Sequence, residues 1–155
     1  MRTKPSEQNI QLEVIRYIKL QYPKVIAVSD LSGVKLTGRQ AVTAALGKTH
    51  TKIPDLTIYH ESCGFGGLLI EFKRSDQELF ITSEKRKLEG LGKWKSQHVA
   101  DQYAMIISLC AQNFAAVFCT SFDDAKNTID LYIKNPAKFA ELFHEKHNFY
   151  VNLCD

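Results

Sequence analysis

The stretch "KIPDLTIYHESCGFGGLLIEFKR", Lys52 to Arg74, decides how this chain is read. Two short apolar runs flank a glycine-rich centre, which predicts a hairpin with strands near Asp55–Tyr59 and Leu68–Lys73. Charges sit inside runs that otherwise look buried: Asp55 on the first arm, Glu71 and Lys73 on the second. Burying unpaired charge costs several kcal/mol or shifts the pKa, a cost on the order of a small domain's whole stability. Period-two alternation sorts the faces. Leu68, Ile70 and Phe72 point one way with Leu56 and Ile58; Leu69, Glu71 and Lys73 point the other way with Asp55, Thr57 and Tyr59. A turn centred near Cys63 places Asp55 opposite Glu71, with Cβ atoms about 4.5–5.5 Å apart. Two like charges at that distance need a cation between them. Lys73 alone would make a structural ion-pair cluster. A hard divalent metal would take Asp55, Glu71 and a backbone carbonyl as part of an oxygen shell.

Outward from the hairpin, helical spacing runs from Ser6 to Tyr22, with Ser6 as N-cap, Ile10, Val14, Tyr17 and Ile18 on one face, and Pro23 ending it. "VIAVS" (25–29) reads as a short buried strand, and "RQAVTAALGK" (39–48) as a short helix closed by Gly47. Residues 75–96 are irregular and charged, with room for a second small hairpin. His98 to Gln112 is a helix, Phe114 to Thr120 a buried strand, and Asp123 opens another helix. Pro136 opens a short last helix, Ala137 to His144. The order predicts an α/β domain with a mixed sheet, the Phe114 strand lying parallel to one hairpin arm. The 155 residues suit one domain, 1–155.

Composition sets bounds on function. No run of about 18 apolar residues exists, and "MRTKPSEQ" lacks the apolar stretch of a signal peptide. Cys63, Cys110, Cys119 and Cys154 form no CxxC pair and predict reduced thiols in a cytoplasmic protein. The net charge is +3, yet residues 85–95 carry five basic side chains against Glu89, a local +4. With Trp94 inside it, that segment suits a polyanion such as nucleic acid; a solvated loop reads equally well from charge alone. His144 and His147 stand three apart on one helix face, the spacing of a metal pair or of a solvated helix end, and no histidine or cysteine spacing fits zinc. "GFGG" lacks the lysine-serine pair of a phosphate loop.

"IPDL" followed by "GLLIEFKR" resembles the PD-(D/E)xK nuclease signature. The wider pattern resembles the VRR-NUC (virus-type replication-repair nuclease) family: a first helix with an early glutamate, "SEQNIQLEVIRYIKLQYP"; the approach "AALGKTHTKIPDL"; the "GLLIEFK" strand; and a glutamine helix in "HVADQYAMIISLCAQNFAAVFCTSFDDAKNTIDLYI". It extends over roughly Ser6 to Ile133. Asn113-Phe114 departs from the family's glycine-aromatic pair, and residues 75–97 are longer than a minimal connection. The resemblance implies a restriction-endonuclease-like core, a mixed β-sheet flanked by helices. It implies Asp55, Glu71 and the Phe72 carbonyl as ligands of Mg²⁺ or Mn²⁺, Lys73 as catalytic lysine, and Gln102 beside the site with Gln97 as competitor. Glu7, on the helix face of Ile10, Val14 and Ile18, is favoured over Glu13 as the further site carboxylate, catalytic and metal-facing. Lys52, Arg74, Lys93 and Lys95 are the expected DNA-backbone contacts. The implied activity is a homodimeric endodeoxyribonuclease acting on branched DNA such as four-way (Holliday) junctions, in the cytoplasm of a bacterium or phage-infected cell. The apolar Phe139, Leu142 and Phe143 are the candidate dimer contact. A nuclease fold that only binds DNA or protein, and a defence nuclease cutting linear duplex, are the alternatives.

Overall fold

A computed structural model describes residues 6–30, 37, 38, 42, 46, 52–75, 79, 80 and 94–154, with side chains through 148. Of the helix read over 39–48 only residues 42 and 46 are described, both helical, and the basic run 85–93, Lys93 included, lies outside the described residues. Helix α1 (Glu7–Gln21) starts where Ser6 caps it, its hydroxyl accepting from the Asn9 amide, and stops at Tyr22 before Pro23. Such a cap contributes about 1 kcal/mol. Strands β1 (Ile26–Ser29), β2 (Leu56–Tyr59) and β3 (Leu68–Phe72) follow, then α2 (Gln97–Ala111), β4 (Ala115–Cys119), α3 (Phe122–Lys134) and α4 (Pro136–Cys154). The sheet order is β1-β2-β3-β4, with β1/β2 and β2/β3 antiparallel and β3/β4 parallel. This is the expected mixed sheet, flanked by helices on both faces.

The two faces follow from alternation along the strands. Leu56, Ile58, Leu68, Ile70, Phe72 and Val117 pack against Ile10, Val14 and Ile18 of α1, Ile129 and Tyr132 of α3, and Phe139 of α4. Each such aliphatic or aromatic chain contributes roughly 1.5–3 kcal/mol on burial. The opposite face carries Leu69, Ala116 and Phe118 under Val99 and Ile106 of α2. β3 and β4 are thus covered on both sides and buried throughout.

The hairpin register is set by a local irregularity. Cys63 and Gly64 both have positive φ, 56° and 81°, in a two-residue turn bridged by Ser62 and Phe65. Such a turn suits the right-handed twist of a hairpin. Continued down the arms, that bridge would set Asp55 against Phe72. Instead Leu56 pairs with Ile70 and Ile58 with Leu68, because the β2 arm carries one extra residue before the turn. One step beyond the Leu56–Ile70 pair, Asp55 stands across from Glu71, as read from the sequence. Gly67 leaves room for the close approach of the arms: a Cβ there would sit 2.9 Å from the Ile58 carbonyl oxygen.

Four expectations are corrected. β1 begins at Ile26, not Val25, and is an edge strand with Ile26 and Val28 66% and 53% exposed, because α2 packs only over β3 and β4. Trp94 is buried, stacked on Phe80 and tilted against Tyr103, so it belongs to the core and is not offered to nucleic acid. Helix α4 runs well past His144. Its inner stripe continues from Phe139 and Phe143 to His147, whose Nε2 meets the Ala116 carbonyl at 3.2 Å, and Lys146 Nζ reaches the Phe118 carbonyl at 3.4 Å. Those carbonyls face the open edge of β4, so α4 caps that edge. His147 is thereby used, and no metal pair forms with His144. The same helix buries Phe139 and Phe143 in the core, which removes those two as a dimer surface and leaves Leu142 half-buried.

Candidate active site

Four backbone elements meet at the end of the sheet where β2 starts and β3 stops. Asp55 precedes β2, and its Oδ2 accepts from the Phe72 amide at 2.9 Å. Glu71, on β3, is 4% exposed, and Lys73, just past β3, is 5% exposed. Lys73 Nζ donates to Glu71 Oε1 at 2.8 Å and to the Phe72 carbonyl at 3.0 Å. From α1, Glu7 brings Oε1 to 3.8 Å from Lys73 Nζ. From α2, the Gln102 side-chain amide donates to the same Glu71 oxygen. The residues named from the hairpin therefore converge, and Glu7 and Gln102 join them. Glu13 is exposed on α1, and Gln97 is exposed and bonds Asp101.

Two further residues carry no motif. Gln11, one turn after Glu7, donates to Ser29 Oγ at 2.7 Å and to the Asp55 carbonyl at 2.9 Å, tying α1 to the strand ends that hold Asp55. His98 Nδ1 lies 2.7 Å from Lys52 Nζ. A helix-surface spacing of four, Glu7 to Gln11 and His98 to Gln102, is the signal that would have found both. Arg74 is exposed beside buried Lys73, as alternation requires, and Lys95 is exposed.

Burial dominates the electrostatics. Desolvation, reinforced by the charge of Asp55, pushes Glu71 up to about 7 even though Lys73 is bonded to it. Asp55 is also raised, by burial first, against the lowering effect of the Phe72 amide and Lys73. One lysine does not satisfy a buried and a half-buried carboxylate together. Gln102 Oε1 is buried with no hydrogen-bond partner among the described residues. These oxygens, the Asp55 and Glu71 carboxylates and the Phe72 carbonyl, form a hard donor set on a site of excess negative potential, which fits Mg²⁺ or Mn²⁺. No group of three or more His, Cys, Asp or Glu able to hold a metal occurs among the described residues, so water or substrate oxygens would complete the shell. Glu7 sits on the lysine.

This electrostatics has a measurable sign. Free glutamate loses its proton near 4.5, whereas Glu71 in the fold keeps it to about 7. Within that window the folded chain binds the extra proton, so stability falls as pH rises through it, by an amount on the order of 3 kcal/mol. His147, lowered chiefly by burial, acts oppositely and costs stability as pH falls. The clean readout is therefore the Mn²⁺-induced rise in Tm, expected to be larger at pH 8 than at pH 5.5, where the ion must displace a proton. An equal rise at both pH values would remove Glu71 from the metal site.

No protein-family model matches this chain, and no curated protein matches it in sequence. Among solved structures, one described as a VRR_NUC domain protein is similar, with 18% identity, a TM-score of 0.55, and coverage of 86% of this chain and 92% of that chain. The chain shares the α/β fold of that protein. No helix among the described residues is long and apolar enough to cross a membrane.

Proposed function

We propose that this chain is a divalent-metal-dependent deoxyribonuclease. The observation that carries the reading is the convergence of Asp55, Glu71, Lys73 and Gln102 at one end of a sheet whose fold is shared with a VRR_NUC domain protein. The reaction is attack of a water oxygen on a phosphodiester phosphorus, with loss of the strand-end oxygen, which leaves with a proton. Asp55, Glu71 and the Phe72 carbonyl would hold Mg²⁺ or Mn²⁺, which when bound stabilises charge on the phosphate and makes water a stronger nucleophile. Lys73 Nζ, pinned between Glu71 and the Phe72 carbonyl, orients the water and adds positive charge beside the phosphate. Gln102 holds the Glu71 carboxylate in place and leaves its Oε1 to accept from the water. Glu7 balances Lys73. Lys52, Arg74, Lys93 and Lys95 contact the backbone, which sets position and not sequence.

The reading extends to substrate and assembly. One domain supplies one such site, and a four-way junction needs paired cuts on two strands. A two-fold homodimer on branched DNA, acting in the reducing cytoplasm, meets that need. Linear, flap and four-way DNAs incubated with Mg²⁺, Mn²⁺ or EDTA, alongside sedimentation at micromolar protein, provide the test. Metal-dependent cleavage of the junction above linear duplex by a dimer is expected. A monomer that cuts linear duplex as fast overturns the junction assignment, and binding without cleavage in any metal overturns the nuclease assignment.

A further inference from the structure

Lys52 and His98 meet at the mouth of the site, and the reaction above gives His98 no task. Lys52 lies three residues before Asp55, and His98 lies one helical turn before Gln102 on the same side of α2. Their side chains are joined at 2.7 Å, Nζ to Nδ1. An ammonium can only donate, so Nδ1 is the acceptor, the ring is neutral and its proton is on Nε2. The charges of Lys73 and Asp55 act on the imidazole along with those of Lys52 and Asp101, which sets His98 within electrostatic reach of Asp55 and Lys73. With Nδ1 engaged and Nε2 protonated, the ring has no free lone pair and cannot serve as a base. It offers one fixed N–H donor, and its partner is a cation.

An N–H beside an ammonium, next to carboxylates that repel anions, is what a phosphodiester needs to approach the site. We infer that His98, oriented by Lys52, contacts the substrate: its Nε2–H donates to a non-bridging oxygen of the phosphate neighbouring the scissile one. The strand is thereby held in register with Lys73. The inference rests on the nuclease reading above.

The experiment compares wild type, His98→Ala and His98→Gln. Kd for a labelled four-way junction is read by fluorescence anisotropy in EDTA, and kcat and KM in Mn²⁺. His98→Ala should raise both Kd and KM about tenfold, the range of one charge-assisted hydrogen bond, with kcat within about twofold of wild type. His98→Gln, whose amide N–H replaces Nε2–H, should recover most of the loss. His98 is exposed, so Tm should not move. If Kd and KM in His98→Ala match a wild type that binds and cleaves, or if kcat alone falls, His98 is not the phosphate contact and the nuclease reading stands. A wild type that neither binds nor cleaves the junction or a linear duplex removes both.

Discussion

Asp55→Asn is expected to abolish cleavage and to weaken Mn²⁺ binding by at least about 100-fold in calorimetry. Loss of a group that merely supports a metal ligand already costs about 10–100-fold, and Asp55 is argued to be a ligand itself. The fold should survive, because an asparagine oxygen can still accept from the Phe72 amide that Asp55 bonds at 2.9 Å. Removing the Asp55 charge should also lower the Glu71 pKa, since that charge is the second cause of its rise. Equal Mn²⁺ affinity in mutant and wild type would mean that the carboxylates form a structural cluster around Lys73 and not a metal site.

Lys73→Ala and Arg74→Ala, adjacent in sequence, should fail differently. Lys73 is buried on the face of Glu71, while Arg74 is exposed. Lys73→Ala should lower kcat by about 10²–10⁴ with little change in DNA affinity, the range for a group acting on a proton or charge in the transition state. Lys73→Met, which keeps the stem's packing, separates that loss from a loss of folding. Arg74→Ala should leave kcat near wild type, raise Kd, and reduce the slope of log affinity against log salt by about one. Loss of affinity alone in both variants would remove Lys73 from the chemistry.

How much of the site was legible depended on how local the information was. Sheet alternation and helix angle are properties of neighbouring residues, so the faces of the hairpin and the preference for Glu7 over Glu13 could be read directly. Trp94 was misjudged because its surroundings in sequence are basic, while its surroundings in space are Phe80, Tyr103 and Phe118. Gln11 and His98 went unseen because each acts on a group far along the chain: Gln11 on the Asp55 carbonyl, His98 on Lys52.

The chain's own pattern determined the α/β class, the order of the elements, the antiparallel hairpin and the shared face of Asp55, Glu71 and Lys73. These follow from backbone periodicity, which acts over a few residues whatever the fold. The family resemblance pointed Glu7 and Gln102 to the site, and the tertiary structure decided how they reach it. It brought α1 and α2 to the same strand end, so that Glu7 meets Lys73 and Gln102 meets Glu71. It left β1 half bare and spent the aromatic stripe of α4 on the core. The register passes between the two: the Cys63-Gly64 turn alone would set Asp55 against Phe72, and one extra residue in the β2 arm restores Glu71 as its partner. Because a one-residue slip turns every side chain to the other face, that residue separates a facing carboxylate pair from an ordinary hairpin.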